Sequence, residues 1–130
     1  MSTKPTPDYQ WPGKKILIVE DDPASCQLFS VLLKSRGTEL VSTDNGLEAV
    51  NICSTDDGIN LVLMDIQLPI MDGYTATKLI KQLRSELPVV AQTAYTLEED
   101  EGKCFAAGCD AYLTKPVKKD ELYKTIDQLI

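Results

Sequence analysis

Histidine does not occur anywhere in the 130 residues. Its absence removes Ser-His-Asp and Cys-His catalysis, imidazole general-base chemistry and histidine metal sites. No apolar run approaches the ~18 residues of a membrane span and no secretory signal opens the chain, so the expected setting is soluble and cytoplasmic, without membrane contact. Cys26, Cys53, Cys104 and Cys109 form no CxxC pair, which removes zinc-ribbon and thioredoxin-like readings and leaves reduced core thiols. Positive charge is also short, with 13 basic against 20 acidic residues and a net charge of −7. That field opposes nucleic acid, whose affinity comes largely from phosphate neutralisation. Lys115, Lys118, Lys119 and Lys124 gather near the C-terminus and read as a solvated helix face. Chemistry must therefore come from carboxylates, lysine, hydroxyls or a bound metal.

What is present is strongly patterned. The length suits one domain with one real core. Residues 1–13 hold three prolines and no apolar periodicity, and read as a leader or linker with Trp11 docking on the body. From there to residue 130 the pattern is regular. Apolar runs of strand length lie at Ile16–Val19, Leu61–Met64 and Val89–Ala91, with weaker ones near Leu40–Val41 and Ala111–Leu113. Continuous apolar strands belong to sheets covered on both faces, which are mostly parallel.

Helical spacing fills the gaps. Asp22-Pro23 suits an N-cap and a first-turn proline, after which Leu28, Val31, Leu32 and Ser35 line one side and Gly37 stops the helix. Leu47, Val50 and Ile52 suggest a second helix. Tyr74, Leu79, Ile80 and Leu83 mark a third, opened by Asp72-Gly73. The fourth, around 96–107, has a Thr96-x-x-Glu99 capping box but a thin apolar face and an internal Gly102, so it should be the least stable. The last runs from about Lys119 to Ile130, with Leu122, Ile126 and Leu129 inward.

Five strands alternating with five helices imply an α/β, doubly wound, five-stranded parallel sheet of order 2-1-3-4-5. Ligands in such folds sit beyond the carboxyl ends of the strands, where strands 1 and 3 diverge. Strand 1 runs into Glu20-Asp21-Asp22, strand 3 into Asp65, strand 4 into Thr93 and strand 5 into Lys115-Pro116. Two carboxylates about 4 Å apart repel by roughly 4 kcal/mol at an effective dielectric of ~20. Lys115 offsets one charge, and a hard divalent cation with oxygen ligands, Mg²⁺, offsets the rest. Such a cation usually serves phosphate chemistry, and without histidine or an activated thiol the nucleophile is a carboxylate, best placed at Asp65.

ILIVEDD, LVLMDIQLPIMDGY, TAY and YLTKP, in order and at intervals of 44, 28 and 22 residues between Asp21, Asp65, Thr93 and Lys115, resemble the signature segments of response-regulator receiver domains. The resemblance covers residues 14–130 and implies a flavodoxin-like receiver fold and a two-component phosphorelay function. Residue by residue it implies Asp21 as a direct metal ligand, Glu20 as one acting through water, Asp65 as phosphoacceptor and ligand, and Gln67 as a ligand through its carbonyl. It implies Thr93 and Lys115 as the groups that meet the phosphoryl, Tyr112 with Thr93 as the switch, and a cis Lys115–Pro116 bond. Gln67 and Tyr95 occupy positions that influence phosphate lifetime, and Asp22 is expected to cap rather than ligate.

The implied partner is a histidine kinase or phosphotransfer protein carrying phosphohistidine. The domain is expected to be a monomer or weak dimer whose helix 4–strand 5–helix 5 surface changes on phosphorylation, with no independent enzyme activity beyond phosphorylation and dephosphorylation of Asp65. The leader and the MDIQLPIMDGY and AGCDAYLTKP segments are most similar to receivers of hybrid sensor histidine kinases, which favours an excised receiver over a stand-alone one. A flavin-binding module is rejected because Glu20-Asp21-Asp22 places negative charge where phosphate would be cradled. A magnesium enzyme with a DxD after its second strand lacks here the second aspartate, since the element is Asp65-Ile66-Gln67. A degenerate receiver serving only as an interaction module remains the further alternative.

Overall fold

The computed structural model describes residues 8–94 and 98–130. Five strands, β1 (Lys15–Val19), β2 (Glu39–Thr43), β3 (Ile59–Asp65), β4 (Val89–Thr93) and β5 (Ala111–Thr114), alternate with α1 (Pro23–Lys34), α2 (Gly46–Thr55), α3 (Gly73–Leu83), α4 (Glu98–Ala107) and α5 (Lys119–Leu129). All pairings are parallel, in the order β2-β1-β3-β4-β5.

Strand alternation divides the apolar residues between two cores. Leu17, Val19, Val62, Met64, Val89 and Ala91 face α2 and α3. Ile16, Ile18, Leu61, Leu63 and Val90 face α1 and α5, together with Trp11, Phe29, Leu33 and Tyr123. Because both faces are covered, the central strands show the unbroken apolar runs seen in the sequence.

The strands and topology match the expectation, as does the inward face of α5 with Leu122, Ile126 and Leu129, but the faces of α1, α2 and α3 differ from it in part. Leu28, Val31 and Ser35 of the α1 region are exposed, Leu32 packs half-buried against the core as expected, and the inward stripe is Cys26-Phe29-Ser30-Leu33, of which Phe29 and Leu33 are buried. Leu47 and Leu83 are likewise exposed; the inward stripes are Gly46-Ala49-Val50-Cys53 in α2 and Gly73-Ala76-Thr77-Ile80 in α3. Each stripe has i, i+3, i+4, i+7 spacing. In α2 and α3 small residues, Gly46, Ala49, Gly73 and Ala76, make part of the buried contact, and Leu47 and Leu83 flank it.

Caps set the helix starts beside the strand ends. Asn45 accepts the Glu48 N–H (2.8 Å) and Asp72 the Thr75 N–H (2.9 Å). Asp22 occupies the cap position before Pro23, but its carboxylate accepts the Ser25 hydroxyl (2.7 Å) rather than a backbone N–H. The Thr96 capping box and Tyr95 lie outside the described residues. Gly37 takes the left-handed conformation, φ 84°, in the turn after α1.

Candidate functional site

The carboxyl ends of β1 and β3 deliver Glu20, Asp21 and Asp65 to one place, each offering an oxygen within 4.8 Å of the others. Glu20 and Asp65 are buried, whereas Asp21 is exposed. From the end of β5 the Lys115 ammonium donates to Glu20 Oε1 and Asp65 Oδ2, both at 3.1 Å. The Gln67 N–H donates to Asp65 Oδ1 at 2.9 Å. Both oxygens of Asp65 are therefore held, which fixes the plane of its carboxylate.

The loop after Asp65 is anchored by two close approaches. The Gly73 N–H donates to the Ile66 carbonyl (3.0 Å), and a Cβ on Gly73 would collide with the backbone of Asp65 and Ile66. A Cβ on Gly46 would collide with the Met71 carbonyl oxygen. These glycines let α2 and α3 press the loop against the site.

Burial, then the hydrogen bond and charge of Asp65, push the Glu20 carboxyl up to about 8 against the opposing pull of Lys115. Burial pulls the Lys115 ammonium down, but its contacts with Glu20 and Asp65 outweigh this and raise it, so it is charged at neutral pH. With Glu20 ionised, one lysine does not balance three carboxylates, so the site either keeps the Glu20 proton or takes up a cation. Three clustered acidic oxygens with an exposed member open to solvent suit a hard cation such as Mg²⁺, which favours few carboxylates and retained water.

Thr93 ends β4 fully buried. Gln92 pairs in register with Asp65, which puts Thr93 one step beyond it. Tyr112 in β5 pairs with Ala91 and is half-buried on the same face as Thr93. The Lys115 N–H donates to the Thr93 carbonyl (2.7 Å), and Lys115–Pro116 is cis. Every sequence-derived site residue thus lies at the carboxyl edge of the sheet or, for Tyr112, just beneath it. Asp22 lies outside the acidic cluster, and Lys118, Lys119 and Lys124 point to solvent.

Two features were not foreseen. Ser42, Thr43, Asp44 and Glu48 line an open cleft of about 390 Å³ with Glu20 and Asp21. The strand order could have found them, since β2 ends beside β1. On the other side of the sheet Ser25, Leu28, Phe29, Lys115, Pro116 and Val117 line an apolar groove of about 350 Å³. The exposure of Leu28 that creates it follows from the actual register of α1.

Comparison with known proteins places these features in a family. The model for the response regulator receiver domain matches residues 16–127. The chain is 40% identical over 111 residues to the sensor histidine kinase RcsC of Salmonella typhi, covering 85% of this chain and 12% of that protein. It is 37% identical over 117 residues to the sensor histidine kinase GacS of Pseudomonas protegens, covering 86% and 13%. It is 39% identical over 116 residues to the polar-differentiation response regulator DivK of Brucella anthropi, covering 87% and 93%. The chain therefore spans about an eighth of the sensor kinases and nearly all of DivK.

Among solved structures, it superposes on the receiver domain of a Pseudomonas aeruginosa sensor histidine kinase with magnesium coordinated in the active-site cleft, with TM-score 0.84, 34% identity and coverage of 90% and 97%. It also superposes on the receiver domain of a Saccharomyces cerevisiae response regulator crystallised with its histidine phosphotransfer protein, with TM-score 0.85, 32% identity and coverage of 92% and 90%.

Proposed function

The chain belongs to the response regulator receiver domain family, and from that premise we propose that Asp65 accepts a phosphoryl group from a phosphohistidine on a partner protein. The observation that carries this reading is the Lys115 ammonium, 3.1 Å from both Glu20 and Asp65, with Asp21 completing a cluster of three carboxylates. As a receiver domain of two-component systems the chain has its role as a class; the residue assignments are the proposal.

An Asp65 carboxylate oxygen attacks phosphorus in line, a P–O bond forms as the donor's P–N bond breaks, and the imidazole nitrogen leaves with the bonding pair and takes up a proton. The Gln67 N–H holds the carboxylate in its attacking orientation. Lys115 turns from Asp65 to the transferred oxygens and balances their charge. Glu20, Asp21, Asp65 and the Gln67 carbonyl would hold Mg²⁺, which when bound neutralises phosphate charge. Water attack on the acyl phosphate later restores Asp65.

The donor protein is a histidine kinase or phosphotransfer protein, and the groove beside Lys115 with exposed Leu28 and Val31 supplies apolar surface for it next to Asp65. Thr93, on turning toward the phosphoryl group, vacates space on the face it shares with Tyr112, which biases the surface of α4, β5 and α5. Residues 14–130 form the receiver, most naturally one module of a hybrid kinase in the cytoplasm; no described helix is long and apolar enough to cross a membrane. The interaction-module reading is weaker because every group needed for phosphorylation converges.

Acetyl phosphate with Mg²⁺ should add one phosphoryl group by mass, and Asp65→Asn should abolish the addition. A chain that stays unmodified and binds no beryllofluoride would return the assignment to the interaction-module alternative.

A further inference from the structure

The end of α4 carries two thiols that the chemistry at Asp65 does not use. The helix closes with a pair of reverse hydrogen bonds. The Gly108 N–H donates to the Phe105 carbonyl and the Cys109 N–H to the Cys104 carbonyl, both at 3.0 Å. Gly108, at φ 110°, supplies the left-handed residue that such a closure needs. This closure draws together the side chains of the two residues joined by its outer bond. Here both are cysteines.

Cys104 is fully buried and Cys109 is 5% exposed. The Cys109 thiol donates to the Thr77 hydroxyl of α3 at 3.9 Å and is in side-chain contact with Cys104. The other two cysteines stand apart. Cys26 packs against the core on the opposite face of the sheet, and the Cys53 thiol is influenced by Arg84 and Asp56, not by a second thiol.

The two sulfurs belong to unequal partners. Cys109 leads into a fixed frame: the Asp110 N–H donates to the Val89 carbonyl (2.8 Å), and its carboxylate accepts the Val89 N–H (2.9 Å) and the Lys81 ammonium (2.7 Å). Cys104 belongs to a lightly held helix, and between residues 101 and 107 it is the one buried side chain. A bond between the sulfurs would tie the loosely held element to the fixed one. Packing at this contact asks only for two small apolar groups, so the adjacent thiols add a chemistry that packing does not require.

We propose that Cys104 and Cys109 form a redox-sensitive dithiol that peroxide closes to a disulfide, pinning the last turn of α4 to the frame of β4 and β5. The Cys104 sulfur takes one peroxide oxygen as the O–O bond breaks, giving a sulfenic acid, and the hydroxide released takes the thiol proton as water. The Cys109 sulfur then attacks, an S–S bond forms as the S–O bond breaks, and the leaving hydroxide takes the Cys109 proton as a second water. Two thiols lose two electrons and one peroxide gains them. Burial pushes the Cys109 thiol up to about 12, so the docked pair stays protonated and reacts slowly. Lifting of the α4 end exposes both sulfurs and sets the rate.

Peroxide treatment of the full chain should make the tryptic peptide that begins after Lys103 lighter by two hydrogen atoms, and dithiothreitol should restore it. No lysine or arginine separates the two cysteines, so this loss within one peptide identifies their bond. Cys104→Ala or Cys109→Ala should remove the loss, and Cys26→Ala should keep it. In oxidised wild-type chain, hydrogen exchange at the Gly108 and Cys109 amides should slow about tenfold, because the link restrains the open state. Both main readouts come from the wild-type chain and do not depend on any variant folding. Oxidation of either cysteine to sulfinic acid without the two-hydrogen loss overturns the proposal, as does a disulfide to Cys26 or Cys53. Unchanged amide exchange after the bond has formed overturns the pinning of α4.

Discussion

The Lys115 ammonium stands equidistant, at 3.1 Å, from Glu20 Oε1 on β1's extension and Asp65 Oδ2 at the end of β3. It is the link that lets two buried carboxylates from neighbouring strands coexist. The same contact that stabilises the resting site has to be given up when a phosphoryl group arrives, so the site is poised rather than inert.

Removing that link should destabilise the magnesium-free protein. Lys115→Met leaves Glu20 and Asp65 buried without their cation. Breaking a buried pair typically costs roughly 3–5 kcal/mol, but Lys115 is a quarter exposed and Glu20 can retain a proton, so about 2 kcal/mol is expected. Urea unfolding in chelator should show this loss, and millimolar Mg²⁺ should shrink it. A variant as stable as the parent in chelator would mean that the carboxylates do not depend on Lys115.

The raised Glu20 carboxyl gives a pH dependence of defined sign. Its folded value, about 8, lies above its ordinary 4.5. Folding therefore favours the protonated form, so this group's contribution is fully present below about pH 4.5 and is lost as pH rises through 8. In chelator the wild type should lose stability relative to Glu20→Gln between pH 5 and 8.5, and Mg²⁺ should reduce the difference by stabilising the carboxylate. Parallel stability curves for the two proteins in chelator would refute the shift.

The strand order and the whole acidic cluster were legible from the sequence because each rests on a local signal. A buried parallel strand has to read as an apolar run, and the residue ending it is where a ligand group belongs; Glu20, Asp65, Thr93 and Lys115 all obey this. The helix faces were not legible in the same way. Apolar weight found Val50, Ile52 and Ile80 but pointed equally to the exposed Leu28, Leu47 and Leu83, whereas packing also selects Ala49, Ala76 and Thr77, whose small size carries no hydrophobic signal. Phe29 outcompetes Leu28 for the core because the aromatic ring buries more surface, and it takes α1's register with it.

Gln92 presents a separate test of buried polarity. It sits in β4 beside Asp65, 1% exposed, and neither amide atom has a partner among the described residues. A buried unsatisfied polar group costs about 1–3 kcal/mol. Gln92→Met, close in shape and without the amide, should raise stability by about 1 kcal/mol or more on that basis. A lower urea midpoint in the methionine variant would show that the amide is satisfied in solution.

The segment before β1 should behave as part of the folded body, not as a tether. Trp11 is buried, its indole N–H donates to Asp127 on α5 (2.9 Å), and its ring meets Tyr9 at 6.0 Å and Tyr123 at 5.8 Å. Arg36 lies 4.6 Å from the centre of the Tyr123 ring, and the Trp11 N–H donates to the Arg36 carbonyl (2.9 Å). The strap thus joins the end of α1 to α5. Truncating a buried tryptophan to alanine usually costs about 3–5 kcal/mol, and Trp11→Ala should fall near the lower figure because the strap lies at the rim of its core. Trp11→Phe keeps the ring packing and loses the hydrogen bond to Asp127, a change of about 1 kcal/mol. As the sole tryptophan, Trp11 should emit at the short wavelengths of a buried indole and shift to the red at the same urea concentration at which the helices melt. A red shift preceding the loss of helix would show that the strap detaches first, and Trp11→Ala would then leave the unfolding midpoint of the body unchanged.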